Sequence, residues 1–312
     1  RMGSRSLGRW RCRRSGLLRR MFTTELHHLE FPAPKGSKSC EKPLVIAHGL
    51  LGCAENWRMM SKRLAAATGR DVYALSLRNH GESPHVDSMS LQDMTEDLLA
   101  FMDTNNIDSA AIMGHSLGGK VAMSTSLVHP ERVERVVALD IAPIDYETKA
   151  PESWRVIVQI VDAMSKLDLD AVEGRAHADQ TLKQWIRNAG IRQHAMQNLK
   201  RGPGGKWRWR CNLDTIASWL GELSKFEFKE GEIRSVEKAC PVHIVRGSKS
   251  SYVLDTFVCS IFHYFPKANL ITIEDAGHWL HVDQPEKFVE VVTEVLARDD
   301  TMATSCRGGT TR

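Results

Sequence analysis

A serine stands between glycines in the segment Gly114–Gly118, which is written GHSLG. Apolar residues 110–113 before it predict a buried strand, and residues 120–123 after it predict a helix. On a tight turn between a strand and a helix, a serine hydroxyl is exposed, and the helix N-terminus favours developing negative charge. The spacing predicts that Ser116 is a nucleophile, although a glycine-rich turn without catalytic function can carry the same letters.

A serine hydroxyl needs a neighbouring base, and with this type of turn the base is a histidine late in the chain. His278 fits, because it follows the predicted strand 270–273. Gly277 would let the loop turn so that the imidazole reaches the serine. His281 is the nearest rival, but a helix start follows it, so we expect it to face the loop interior or solvent. His278 is therefore the predicted general base.

A carboxylate should orient this imidazole. The strand that ends near Val245 is followed by RGSKSS, which contains no carboxylate. Asp140 ends the preceding strand, whose tip neighbours the turn at Ser116, so we expect its carboxylate to reach the far nitrogen of His278. Asp214 is the alternative acid, although it could equally cap a helix.

Two backbone N–H groups should face the oxygen that becomes negative in the transition state. We expect one from Leu117, directly after the serine, and the other from the loop His48–Gly52, written HGLLG. Leu50 is the candidate there, because Gly49 leaves the approach free of a Cβ atom. We expect His48 itself to order the loop.

Short apolar strands alternate with helices around these residues. The predicted strands are residues 25–31, 44–47, 71–77, 110–114, 133–140, 242–245 and 270–273, and the predicted helices are residues 56–67, 90–103 and 285–297. Such alternation implies the α/β class, with a mostly parallel central sheet covered by helices on both faces.

The pattern changes between residues 144 and 238, where helical periodicity dominates and strand signals are almost absent. The helix candidates there are residues 153–167, 181–188, 191–199 and 212–226. Helices inserted between strands of a parallel sheet predict a cap over the ligand-binding edge. We therefore expect a core of residues 21–143 and 239–298, a helical cap at 144–238, and a disordered polar tail at 299–312.

The 312 residues are 42% hydrophobic and 26% charged, which is ordinary for a soluble globular protein. No apolar run is long enough to span a bilayer, so no transmembrane segment is expected. The seven cysteines are scattered and no metal-ligand motif occurs, which argues against a disulfide scaffold, a metal site or a cofactor.

Eight arginines and no acidic residue fall within residues 1–20. Without these arginines the formal net charge changes from +4 to −4, so the remainder is mildly acidic and nucleic acid is not an expected partner. An arginine-rich, acid-free start predicts a mitochondrial presequence and a matrix location. The alternatives are a leader without targeting function and a basic arm that binds nucleic acid nonspecifically.

Taken together, the His48–Gly49 pair, Ser116 and late His278 resemble the α/β-hydrolase fold from about residue 25 to 297. Four segments resemble more narrowly the group around the mitochondrial alpha/beta hydrolase domain-containing protein 11, which includes bacterial esterases and yeast ethanol acetyltransferases: RNHGES at 78–83, GHSLGGK at 114–120, LDIAP at 139–143 and AGHW at 276–279. The resemblance implies ester or thioester hydrolysis, acyl transfer in some members, mitochondrial location, and the acid at Asp140. The cap of this group is variable, so substrate choice does not carry over.

Three hypotheses about function follow. The first is a serine hydrolase that cleaves carboxylic esters or thioesters through an acyl-enzyme on Ser116, with water activated by His278. The second is an acyltransferase that moves the acyl group to an alcohol. The third is a non-catalytic binding or protective partner of a mitochondrial protein.

Overall fold

The computed structural model describes residues 23–298 apart from 37–41, 229–230, 232 and 234–239. The predicted presequence at 1–20 and the predicted tail at 299–312 lie outside the described residues.

Seven strands form the central sheet, and two more form a separate hairpin. In chain order the strands of the described residues are β1 His28–Phe31, β2 Leu44–Ala47, β3 Val72–Leu75, β4 Ala110–His115, β5 Val133–Leu139, β6 Leu199–Arg201, β7 Trp207–Trp209, β8 Val242–Gly247 and β9 Asn269–Ile273. The sheet order is β1-β3-β2-β4-β5-β8-β9. Only the edge pair β1–β3 of this sheet is antiparallel, and the other pairs are parallel. The predicted mostly parallel sheet is confirmed.

Helices cover both faces of this sheet. In chain order they are α1 Arg58–Thr68, α2 Leu91–Thr104, α3 Leu117–Val128, α4 Tyr146–Lys149, α5 Pro151–Lys166, α6 Arg175–Leu182, α7 Ala189–Met196, α8 Leu213–Ser224, α9 Val258–Tyr264, α10 Leu280–Asp283 and α11 Pro285–Ala297. Alternate residues of one strand pack on opposite faces: Ile46 of β2 lies with α1 and α11, whereas Val45 lies with α2 and α3. Burial on both faces explains why β2 is continuously apolar.

The segment between β5 and β8 contains α4 to α8, and it also contains the antiparallel hairpin of β6 and β7. The insertion is therefore mainly helical, and its hairpin was not predicted from the sequence. Each hairpin strand has three residues, and three residues are too few to give a readable alternation. The predicted helix at 181–188 was wrong, because α6 ends at Leu182 and turns follow it.

Candidate functional site

Ser116 lies on the turn between β4 and α3, and its backbone adopts φ 50° and ψ −115°. The turn requires small neighbours. A Cβ atom on Gly114 would lie 2.0 Å from the Gly118 carbonyl oxygen, and one on Gly118 would lie 2.3 Å from the Ala47 carbonyl oxygen. Close packing of β4, α3 and β2 thus holds the serine in a backbone conformation that non-glycine residues rarely adopt.

Asp140 follows β5 directly, is fully buried, and also has a positive φ of 51°. Its Oδ2 atom lies 2.7 Å from Nδ1 of His278. The carboxylate also accepts hydrogen bonds from the Gly247 amide at 3.2 Å and from the Ser250 hydroxyl. These donors fix the carboxylate, so the His278 Nδ1–H is directed to it and Nε2 is left free to accept a proton.

The loop between β9 and α10 places His278. The left-handed residue of this loop is Asp275, with φ 59°, whereas Gly277 is not in that region. The loop therefore turns at Asp275, two residues before Gly277, where the sequence predicted the turn. The amide of Gly277 donates to Asp283 at 2.8 Å, which closes the loop onto α10.

Two neighbouring rings support the His278 imidazole. Tyr252 stacks on it, and the His115 ring lies 4.6 Å away between centroids. Nε2 of His115 donates to the His278 carbonyl at 2.8 Å. Burial lowers the pKa of His115 well below 6.5, so this imidazole is neutral and acts as a structural link between β4 and the His278 loop.

Ser116 and His278 are each bonded to residues at the tip of β5. The Ser116 amide donates to the Leu139 carbonyl at 3.0 Å, and the next residue, Asp140, binds His278. Among the hydrogen bonds of the described residues, none joins the Ser116 hydroxyl directly to the His278 ring. Catalytic hydrogen bonds often tighten only when substrate is bound.

The two rival residues lie elsewhere. Asp214 is exposed in the first turn of α8, whose N-cap is Asn212, and no hydrogen bond joins it to His278. His281 packs inward with its ring stacked on Trp57, at a centroid distance of 4.3 Å. The structure brings Asp140, and not Asp214, to the imidazole.

Leu50 and Leu117, the two predicted oxyanion donors, both line the cavity that Ser116 also lines. In the described part of the chain, neither amide donates a hydrogen bond to another residue. Gly49 makes this approach possible, because a Cβ atom there would lie 2.7 Å from Nδ1 of His115 and 3.2 Å from Cβ of Ser116. Two unused N–H groups beside a serine can stabilise an oxyanion.

Neutral histidines hold the loop that carries Leu50. Nδ1 of His48 donates to the Gly49 carbonyl at 2.7 Å, and its Nε2 accepts from the Leu77 amide at 2.9 Å. His80 accepts from the Leu51 amide at 3.0 Å. Burial lowers the pKa of His80 to about 4 and that of His48 well below 6.5. His48 thus has the loop-ordering position that the sequence predicted for it.

The cavity beside Ser116 is bounded mainly by apolar side chains. The core contributes Leu50, Leu117 and Ile141, and the cap segment contributes Tyr146, Trp154, Ile157 and Leu223. An apolar cavity with a few convergent polar groups is typical of a small-molecule site.

Lys120 also borders this cavity, one helical turn after Ser116. Its buried Nζ donates to the carbonyls of Leu223, Ser224 and Lys225 at 3.0, 2.5 and 3.0 Å, at the C-terminus of α8. Burial lowers the pKa of Lys120 to about 7, while the charge of Asp145 raises it. This side chain ties the cap to the helix that follows the serine.

Sequence reasoning did not single out Lys120, Tyr252 or His194 as residues of the site. A lysine in the apolar run after GHSLGG was a usable signal for Lys120, because an unpaired buried ammonium is costly. No local pattern marks the other two, since their partners are distant in the chain.

Within the described residues, no helix is both long and apolar enough to cross a membrane. The same part of the chain contains no group of three or more histidine, cysteine or acidic side chains that could hold a metal ion.

A family model described as alpha/beta hydrolase fold matches residues 42–285. The sn-1-specific diacylglycerol lipase ABHD11 of Mus musculus is 34% identical over 258 residues, which cover 81% of this chain and 80% of that protein. Esterase YbfF of Escherichia coli is 27% identical over 81% of this chain and 92% of its own length. A protein of Saccharomyces cerevisiae named "Probable alcohol acetyltransferase" is 28% identical over 83% of this chain and 78% of its own length.

Among solved structures, a marine microorganism esterase superposes with a TM-score of 0.80 at 33% sequence identity. The match covers 87% of this chain and 99% of that chain. The overall fold and the distribution of helices around the sheet are therefore those of its esterase relatives.

Proposed function

Because this chain belongs to the alpha/beta hydrolase fold family, we propose that it is a carboxylic ester hydrolase with Ser116 as its nucleophile. Relatives named as a lipase and as an esterase, and the similar esterase structure, support the reaction class. The roles of the individual residues rest on geometry and on chemical principle.

The proposed reaction has two halves. In the first, Nε2 of His278 takes the proton of the Ser116 hydroxyl while the oxygen attacks the ester carbonyl, and the proton then passes to the leaving alcohol. In the second, His278 takes a proton from water, which attacks the acyl-enzyme, and then returns that proton to the Ser116 oxygen as the acid is released. The carboxylate of Asp140 stabilises the imidazolium in both halves. The amides of Leu50 and Leu117 are the proposed oxyanion donors.

One observation carries this proposal above the others: the buried Asp140 carboxylate is bonded to the His278 imidazole beside the strained turn of Ser116. A buried carboxylate–histidine pair next to a serine on a strand-to-helix turn is the arrangement that activates a serine nucleophile.

The test is hydrolysis of p-nitrophenyl acetate together with labelling by a fluorophosphonate. We expect Ser116→Ala to abolish both, because the nucleophile is removed. Ser126→Ala, which removes a buried hydroxyl later in the same helix, is the matched control and should retain both. Labelling that persists in the Ser116 variant would rule out this serine.

Acyl transfer to an alcohol is a second candidate. The similarity to the yeast protein named as an alcohol acetyltransferase favours it, and so does the apolar cavity, which would limit competition from water. The acyl-enzyme would be the same and only the acceptor would differ. Added ethanol should then divert product from free acid to ethyl ester, and an unchanged acid yield would reject this route.

We also propose a mitochondrial location, supported by the arginine-rich composition of residues 1–20. Fluorescent fusions with and without residues 1–20 test this location. Only the fusion that retains them should enter mitochondria, and equal distribution of the two fusions would reject the proposal.

A further inference from the structure

Two consecutive peptide units of the loop His48–Gly52 are held by three histidines. The Gly49 carbonyl accepts from Nδ1 of His48, and the same peptide unit carries the N–H of Leu50. In a trans peptide the N–H and the C=O point in opposite directions, so a donor that fixes the carbonyl also aims the N–H. His48 therefore sets one end of the unit that bears the proposed oxyanion donor.

The next peptide unit is held at both of its polar atoms. The Leu51 N–H donates to Nε2 of His80 at 3.0 Å, and the Leu50 carbonyl accepts from Nε2 of His194 at 2.9 Å. Leu51 has a positive φ of 61°, which a leucine keeps only when its surroundings enforce it. The two imidazoles supply that enforcement from opposite sides.

The three histidines come from different parts of the molecule. His48 and His80 belong to loops of the core, whereas His194 lies on α7 of the cap. A second cap residue acts on the same loop, because the Asn198 amide donates to the Leu51 carbonyl at 2.8 Å. The cap thus donates hydrogen bonds to two consecutive carbonyls, those of Leu50 and Leu51, in the loop His48–Gly52.

His194 is suited to a positioning role and not to proton transfer. Burial lowers its pKa, so the imidazole is neutral near pH 7 and carries one N–H. The hydrogen bond to Leu50 assigns that proton to Nε2. The ring lies 5.6 Å from the ring of Trp279, the residue directly after His278, and so is next to the loop of the proposed general base.

We propose that His194 is a positioning residue. Through its hydrogen bond to the Leu50 carbonyl, docking of the cap onto the core helps to fix the direction of the Leu50 N–H. When the cap is docked, the Leu50–Leu51 unit is locked and both oxyanion donors face the substrate. When the cap is displaced, the Leu50–Leu51 unit keeps only its contact with His80. Leu50 then loses the hydrogen bond on its own carbonyl, and the N–H of the preceding unit is held from the His48 side alone. This inference rests on the proposed ester hydrolysis, since it concerns the same transition state.

The decisive comparison uses His194→Leu, which removes the donor, and His194→Gln, whose amide nitrogen can take the place of Nε2. His177→Leu, on an exposed histidine of the cap, is the matched control. We expect His194→Leu to lower kcat by about 10- to 100-fold while KM changes by less than about twofold, because the lost interaction acts on the transition state. His194→Gln should recover most of the activity, and His177→Leu should match the wild type.

Values of kcat are expressed per site titrated with a fluorophosphonate, so that misfolded protein is not counted. Inhibition by a trifluoromethyl ketone, which forms an oxyanion on the serine, should weaken in parallel with kcat in His194→Leu. Unchanged kcat, or a loss confined to KM, would overturn the inference. If His194→Leu does not fold, His194→Asn replaces it, since its shorter amide does not reach the Leu50 carbonyl.

The two proposals fail in distinguishable ways. If the wild type lacks ester hydrolysis that depends on Ser116, the proposed function fails. If that hydrolysis is present and His194→Leu leaves kcat and ketone inhibition unchanged, only the positioning role fails.

Discussion

The ring of Tyr252 lies flat against the ring of His278, with centroids 3.8 Å apart and planes inclined by 19°. Tyr252 is itself held from two sides. Its carbonyl accepts from the Tyr146 hydroxyl at 2.6 Å, and its hydroxyl donates to the Ser153 carbonyl of α5 at 3.1 Å. The orientation of the imidazole therefore depends on a core residue that two residues of the cap segment hold in place.

Removing this stacked ring should impair turnover. We expect Tyr252→Ala to lower kcat about tenfold or more, because the imidazole would keep the Asp140 bond but lose the surface that limits its rotation. Tyr252→Phe, which keeps the ring and loses only the hydroxyl, should retain most of the activity. Steady-state hydrolysis of a p-nitrophenyl ester distinguishes them, and equal losses in both variants would contradict a stacking role.

The two candidate acids can be separated by matched substitutions. Asp140→Asn should lower kcat by about 10³- to 10⁴-fold, because the amide no longer stabilises the imidazolium or selects its tautomer. Asp214→Asn should leave kcat within about twofold of the wild type, since this side chain is exposed at the start of α8. The reverse order of losses would assign the role to Asp214.

Loss of the Lys120 ammonium should loosen the cap. Lys120→Met leaves the carbonyls at the end of α8 without their donor, which we expect to cost about 1–3 kcal/mol of unfolding free energy. The measurement is urea denaturation at pH 6, below the lysine pKa of about 7, where the amine is protonated. Lys183→Met, at an exposed cap position, is the control, and equal stability of both variants would contradict the anchoring role.

Acid should destabilise the fold through its buried histidines. Burial lowers the pKa of His80 and of His281 to about 4, so between pH 6.5 and 4 these imidazoles take up protons in the unfolded chain and not in the folded one. Unfolding free energy must then fall as the pH is lowered through this range, by up to about 3 kcal/mol for each histidine. Thermal unfolding measured from pH 7 to pH 4 checks the direction.

His281 allows this contribution to be isolated. Its ring stacks on Trp57, and its Nδ1 atom is buried without a hydrogen-bond partner among the described residues. His281→Phe keeps an aromatic ring there and removes the titrating group. We expect a shallower decline of melting temperature on acidification, and a slope identical to that of the wild type would count against the assignment.

The core of the fold could be predicted because its signals are local. Residues 44–47 are apolar without interruption since both faces of β2 are buried, and GHSLG fits a turn that excludes side chains next to the serine. The pairing of Asp140 with His278 could also be predicted, because the carboxyl ends of the parallel strands β5 and β9 lie at the same edge of the sheet.

The cap could not be predicted to the same depth. Its hairpin has strands of only three residues, and α6 ends where periodicity suggested that a helix continued. Contacts such as His194 with Leu50 join residues 144 positions apart, and tertiary packing alone creates them. The sequence signal is therefore weakest where the cap meets the core.

Ser116 and Asp140 both keep left-handed backbone angles that a branched L-residue avoids. Each such angle costs on the order of 1–3 kcal/mol relative to an unstrained residue. Glycine at residue 116 would relieve that tension and leave a sturdier but inert molecule. At residue 116 thermal stability thus favours glycine, whereas the proposed reaction requires serine. The chain keeps the residue that reacts and bears the strain.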